Sequence, residues 1–186
     1  QLLPLDAKSL KSIAIIGPNA DQVQFGDYTW SRNNKDGVTP LQGIKNRVNK
    51  NTAIHYAKGC SLTSLDTSGI AEAVEAAKNS EVAVIFGGSA SAALARDYKS
   101  STCGEGFDLN DLNLTGAQSQ LIREVYRTGT PVILVLVTGK PFVIEWEKNN
   151  LPAILVQWYA GEQAGNSIAD ILFGEVVPSG RLTFSF

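Results

Sequence analysis

Residues 131–139 read PVILVLVTG. Six apolar residues follow one another from Val132 to Val137, bounded by a proline on one side and Thr-Gly on the other. A strand with one wet face would alternate apolar and polar positions. A run that is apolar throughout, and too short for a buried helix, suits a strand covered on both faces, as in a parallel sheet between helices. Comparable β-branched runs recur at residues 12–17, 52–57, 81–87 and 152–158, and helical spacing fills the stretches between them. This βαβα order predicts an α/β domain with a mostly parallel sheet of about five to six strands sandwiched by helices.

The helix boundaries are legible as well. Ser68 is placed to cap SGIAEAVEAAKNS, in which Ile70, Ala73, Val74 and Ala77 share a face, and Thr115 precedes GAQSQLIREVYRTG, which Gly129 closes. A further helix, GEQAGNSIADILFG, ends at Gly174, and GRLTFSF after the turn VVPSG is expected to form a short antiparallel edge strand. No repeat, low-complexity segment or interdomain linker interrupts residues 1–186, which read as one domain.

Two connections exceed what a wound α/β fold needs, residues 18–39 after the first strand and residues 88–114 after the third. Both leave from strand carboxyl ends and therefore share one rim. Ligands of open parallel sheets bind at that rim.

Composition narrows the function. With 16 Lys+Arg against 18 Asp+Glu, the chain lacks the basic excess that phosphate backbones demand, so nucleic acid is not an expected partner. The apolar runs are far shorter than the ~20 residues needed to span a bilayer. The chain opens on QLLPLD without Met and stops inside GRLTFSF, so either end is expected to be a cut in a longer protein. Cys60 and Cys103 lack zinc-ligand spacing; spacing leaves their pairing open, with a small buried hydrophobe the ordinary fate of each.

At the rim, GPNADQ (17–22) contains neither G-x-G-x-x-G nor a Walker lysine, and no acidic cluster of a phospho-receiver follows the first strand. Pro18 and Asn19 are read as turn formers. His55, the only histidine, sits in the strand-like TAIHYAKG without a nucleophile motif, and no metal or cofactor is expected. In FGDYTW (25–30), Tyr28 and Trp30 stand beside Asp27, where they either stack on a sugar ring or pin the loop to the body.

The stretch STCGEGFDLNDLNL (101–114) brings Glu105, Asp108 and Asp111 together. Glycines on both sides of Glu105 allow it to be presented at a tip, where a partly desolvated carboxyl can serve as a proton donor. On spacing alone the plainer reading is preferred, with Glu105 a solvated loop acid and Asp108 and Asp111 forming Asx-type turns at the helix entry.

Together LLPLD, IAIIGPNAD, FGDYTW, TPLQGI, GEGFDLNDLNLTGAQSQLI, VILVLVTGKP and above all VQWYAGEQAGNSIADILFGEVVPSGRL resemble the C-terminal α/β sandwich domain of glycoside hydrolase family 3 over nearly the whole chain. The resemblance implies part of a retaining, exo-acting β-glycosidase, a β-glucosidase or, next to it, a β-xylosidase. In that family a preceding TIM-like barrel binds the terminal sugar and supplies the aspartate nucleophile. The sandwich domain then lends the acid/base, a role that falls on Glu105 here. Asp108 matches a loop-organising aspartate, Tyr28 matches an aromatic that stacks on the leaving sugar, with Trp30 the second choice, and Asp27 is read either as an acceptor of a sugar hydroxyl or as a loop cap. Trp158 and Tyr159 read as packing residues.

Leu109 stands where the family often has Arg, which leaves Asp108 without that ion-pair partner, and Thr115 stands where it often has Pro. The resemblance further implies a β-glycoside or oligosaccharide as substrate, the barrel as partner, and no hydrolysis by the isolated domain. A periplasmic or secreted setting is the expectation for such a degrader. A non-catalytic carbohydrate-binding or interaction module on the same sandwich is the alternative.

Overall fold

The computed structural model describes residues 2–31, 33–91 and 102–186. Ser101, at the head of the acidic stretch, and residues 92–100 of the second long connection lie outside the described residues.

Five strands form a parallel sheet in the order β2-β1-β3-β4-β5: β1 Ser12–Ile16, β2 Ala53–Ala57, β3 Val82–Gly88, β4 Val132–Val137 and β5 Ala153–Gln157. All seven residues of β3 and all six of β4 are buried, which is the two-sided covering that the unbroken apolar run demands. Successive side chains enter opposite cores. Ala14, Ile16, Ile85, Leu134 and Leu136 face α2 (Ile70–Lys78) and α3 (Gln118–Tyr126), while Ile13, Ile15, Val84, Ile133 and Val135 face α1 (Pro40–Arg47) and α5 (Ala164–Leu172). A shorter helix, α4 (Glu145–Asn150), lies between β4 and β5, and the flanking Ile144 and Leu151 join the first core.

The helices α1 and α5 cross at glycines. A Cβ built on Gly43 would stand 2.0 Å from the Gly165 carbonyl oxygen, and one on Gly165 would stand 2.0 Å from that of Thr39. Backbone therefore packs on backbone. Thr39 caps α1 by accepting the Gln42 N–H at 3.2 Å, with Pro40 at the first helical position.

Helix ends follow the expectation at Gly129 and Gly174, both in the left-handed region. The starts differ. Ser68 does not cap α2: its N–H and hydroxyl both donate to Asp66, and the helix begins after Gly69, where a Cβ would strike the Gly59 carbonyl oxygen at 2.7 Å. Thr115 likewise donates its hydroxyl to the Leu62 carbonyl (2.6 Å) and leaves α3 without a side-chain cap.

The antiparallel edge strand expected of GRLTFSF is a correction, because residues 180–186 form no strand. The tail is held by side chains instead of a ladder. Phe184 meets Trp158 edge-on at 5.8 Å and Phe186 at 5.1 Å, and Lys148 Nζ donates to the Phe186 carbonyl at 2.6 Å.

Replacing Gly165 with Ala should lower stability by about 1–3 kcal/mol, since backbone must move to admit the methyl group. Gly180→Ala, where no atom lies within 4 Å of the added Cβ, should stay within about 0.5 kcal/mol of the parent. Urea unfolding of the two variants checks the contrast.

Candidate active site

With β1 lying between β2 and β3, which are reached in opposite directions, the strand order reverses between β1 and β3. A crevice opens at the carboxyl ends of strands arranged this way. Asn19 closes its bottom. It is fully buried, its backbone N–H donates to Phe86, its amide donates to the Ser89 carbonyl at 3.2 Å, and its carbonyl accepts from Gln24 at 2.7 Å. The residue read as a turn former thus ties the exits of β1 and β3 together.

Above this floor lies a cleft of about 810 Å³. Its walls come from loops after four strands: Asp27 and Tyr28 after β1, Glu105 and Asp108 after β3, Lys140 after β4 and Tyr159 after β5. The sequence assigns site residues only to the first two of these loops; the segment after β5 also approaches the rim but was read as packing. Lys140 and Tyr159 were not among the expected site residues, although the rim rule applied to β4 and β5 points to both.

A buried polar network supports the β3 loop. Tyr159 Oη lies 2.8 Å from Ser89 Oγ and within hydrogen-bond distance of Cys103 Sγ, and Ser89 Oγ also donates to Thr138 Oγ1 at 3.2 Å. Burial, followed by the neighbouring Cys103, holds the Tyr159 phenol well above its ordinary range, so it stays a neutral hydrogen-bonding group. The packing role expected of Tyr159 is therefore a polar one. Trp158 points elsewhere, toward Phe184.

Two residues after Cys103 the chain turns over Glu105. Gly104 has φ 129° and Gly106 φ 68°, and the Phe107 N–H donates to the Gly104 carbonyl at 3.1 Å. Side chains rarely take these backbone angles, so the glycines are what permits the tip. Glu105 is exposed there and lines the cleft. Its backbone N–H donates to Asp27 Oδ2 at 2.6 Å, and Asp27 Oδ1 accepts the Ser91 hydroxyl.

The remaining candidates separate by position. Tyr28 is 83% exposed and lines the cleft, whereas Trp30, equally exposed, is not among the lining residues. Asp108 lines the cleft beside Leu109. Asp111 makes the expected Asx turn, accepting the Asn113 N–H at 2.8 Å. Lys140 Nζ sits 5.0 Å from the centre of the Phe142 ring and 3.4 Å from the Asp111 carbonyl, with its pKa lowered chiefly by burial. His55 remains in edge strand β2, and both cysteines are free and buried. Among the described residues no cluster of three or more His, Cys, Asp or Glu could hold a metal ion.

Such a rim, with a carboxyl at a glycine-flanked tip and an exposed aromatic ring and a lysine lining the same cleft, suits a polar ring-shaped ligand and proton transfer. Comparison with known proteins identifies the family. The family model for the glycosyl hydrolase family 3 C-terminal domain matches residues 1–186. A β-xylosidase of Formosa agariphila is 41% identical over 191 residues, covering 100% of this chain and 25% of the relative. A periplasmic β-glucosidase of Salmonella typhimurium is 36% identical over 210 residues, covering 100% of this chain and 26% of its own. The chain thus spans about a quarter of the length of these curated relatives.

Among solved structures, a family 3 exo-β-xylosidase in complex with a xylobiose aziridine activity-based probe superposes with a TM-score of 0.83 at 30% identity, over 97% of this chain and 22% of that one. A Listeria innocua β-glucosidase in complex with isofagomine superposes at 0.79 and 27% identity, over 94% and 22%.

Removing the Tyr159 hydroxyl strips a partner from buried Ser89 and Cys103. Tyr159→Phe should therefore cost about 1–3 kcal/mol in thermal or urea unfolding while preserving the fold by circular dichroism. Cys60 gives a second test: burial pushes its thiol up to about 11 from an ordinary 9.0. At pH 8 its thiolate is then about a hundredfold scarcer than that of an open thiol. Iodoacetamide should label it at a correspondingly slow rate until the protein unfolds.

Proposed function

The chain belongs to the C-terminal domains of glycosyl hydrolase family 3, and on that premise we propose that Glu105 is the general acid/base of a retaining, exo-acting β-glycosidase whose nucleophile lies outside residues 1–186. The observation that carries this reading is the tip itself. One carboxyl is held out from the backbone between two positive-φ glycines, in the cleft where the loops at the strand carboxyl ends converge.

Retention requires two carboxyl groups about 5–5.5 Å apart, one attacking the anomeric carbon and one protonating the departing oxygen before activating water. Glu105 fills the second role. In the first step its carboxyl hydrogen passes to the glycosidic oxygen as that bond breaks, and in the second its carboxylate takes a proton from the attacking water. Exposure in this domain matters for the mechanism, because an acid open to bulk water is poorly suited to the first step. A facing barrel that closes over the tip supplies the drier surroundings.

Tyr28 presents an open ring face at the same cleft, suited to stacking on the leaving sugar; Trp30 is the second aromatic of that loop. Asp27 is partly exposed, but both of its oxygens already accept donors inside the protein, the Glu105 N–H and the Ser91 hydroxyl, so the sugar-hydroxyl role expected of it is not carried into this reading. The sugar is a β-glucoside or a β-xyloside. The sequence puts glucose first, and the 41% identity to the Formosa agariphila β-xylosidase supports xylose.

Three outcomes are expected. Residues 1–186 alone should not hydrolyse aryl β-glucosides or β-xylosides, and robust turnover by that piece would contradict the division of labour. In the full-length enzyme, Glu105→Ala should slow kcat/KM on alkyl or disaccharide glycosides by about 10²–10⁴-fold. Dinitrophenyl glycosides, whose leaving group needs no proton, should lose far less in their glycosylation step, and azide should restore their turnover. If Asp108→Ala shows this dependence and Glu105→Ala does not, the acid/base is Asp108. Glycan binding by the domain, with Glu105→Ala harmless to the enzyme's rate, would favour a non-catalytic binding module.

A further inference from the structure

The two long rim loops meet at one carboxylate. Asp27, on the loop after β1, accepts the backbone N–H of Glu105 through Oδ2 at 2.6 Å and the hydroxyl of Ser91 through Oδ1. These contacts fall on the two limbs of the β3 connection, Ser91 on the outgoing limb and Glu105 on the returning one. The limbs are joined at a buried neck. Ala90 N–H donates to Thr102 Oγ1 at 2.9 Å, Thr102 N–H donates to the Ala90 carbonyl at 3.3 Å, and Ser91 pairs with Cys103 as an isolated parallel bridge. Below the neck the chain is fixed by the Ser89, Cys103 and Tyr159 network. Beyond it, Glu105 stands between two glycines, one of which has no atom within 4 Å of a built Cβ.

That arrangement leaves a mechanical problem at the tip. Glycines permit the turn but also permit others, and a proton donor displaced by 1 Å can lose on the order of a hundredfold in rate. The hydrogen bond that addresses it reaches the backbone of Glu105 itself, so it fixes the Cα and leaves the side chain free to address substrate. Only a carboxylate offers an acceptor oxygen to each of the two limbs and strengthens both bonds by its charge; Asn in its place has one oxygen.

Resting on the reading of Glu105 as acid/base, we propose that Asp27 is its positioning residue, a clamp from the β1 loop that sets where the catalytic carboxyl stands. Its carboxylate acts through Glu105 and not on the sugar. Removing it should therefore affect only those steps in which Glu105 moves a proton.

The test is a double-mutant cycle in the full-length enzyme, with Asp27→Ala, Asp27→Asn, Glu105→Gln and the two Asp27 doubles of Glu105→Gln. Each is assayed on a disaccharide β-glycoside and on its dinitrophenyl β-glycoside. Asp27→Ala should lower kcat/KM on the disaccharide at least about tenfold more than on the dinitrophenyl substrate, with Asp27→Asn intermediate. In the Glu105→Gln background the same Asp27 changes should cost less than about twofold on either substrate. Equal losses on both substrates, or losses that multiply fully in the Glu105→Gln background, would show a direct contact with sugar and overturn the proposal.

Glu105→Gln alone reports on the underlying reading. If it shows no leaving-group dependence, the acid/base assignment fails and the clamp with it. If it shows that dependence and Asp27→Ala does not, the clamp alone fails. Should Asp27→Ala not fold, the near-isosteric Asp27→Asn completes the cycle by itself.

Discussion

Burial of the sheet on both faces is the constraint from which the rest of this structure follows. A strand such as β4, apolar at every position, is stable only with helices above and below it, and helices on both faces require each connection to cross and return. All five strands then point the same way. Every loop that follows a strand emerges at one rim, and the reversal of strand order between β1 and β3 opens a crevice there. Asn19, sealed beneath the crevice with its backbone and side-chain groups bonded, shows the backbone of that switch point being held rigid.

On this base the site is layered by polarity. Its floor is a buried network of Ser89, Thr138, Cys103 and Tyr159, which fixes the exits of β3, β4 and β5 relative to one another. Charge is confined to the upper layer, on Asp27, Glu105, Asp108 and Lys140. Polar groups without charge are cheaper to bury, and a carboxyl that must exchange protons with substrate has to stay reachable. Close packing of α1 on α5 through Gly43 and Gly165 serves the same end from below, since the segment leading into α1 is the far end of the loop carrying Asp27 and Tyr28. Val38 donates to the Glu162 carbonyl after β5 and accepts from the Gly165 N–H in the first turn of α5.

The strands were readable from sequence to within a residue or so, and for β3 and β4 the reason is two-sided burial, which leaves an apolar run without alternation. Helix starts were less so. Ser68 and Thr115 have the chemistry of caps, but each found a partner elsewhere, Asp66 and the Leu62 carbonyl, and close backbone contact at Gly69 set the start of α2. GRLTFSF alternates like a strand, yet ring contacts of Phe184 decide its course, a tertiary effect that no local pattern carries. At the site, flanking glycines marked Glu105 as a tip residue, whereas its tie to Asp27 spans 78 positions and leaves no trace in local spacing. Lys140 was hidden for a simpler reason, since it follows β4 on a short connection without the length that drew notice to the other loops, whereas Tyr159 was noticed and assigned to packing because its hydroxyl partners Ser89 and Cys103 are remote in sequence.

The central claim is that this domain brings the acid/base and that another part of the protein brings the nucleophile. Intact-mass measurement of the full-length Glu105→Gln enzyme after mixing with a dinitrophenyl β-glycoside tests it most directly. Attack on that substrate needs no acid, while release of the sugar needs the missing base, so a glycosyl-enzyme should accumulate. The account predicts a mass increase of one sugar residue, located by peptide mapping outside residues 1–186. A mapped adduct on a carboxylate of this domain, or turnover with no adduct at all, would contradict it.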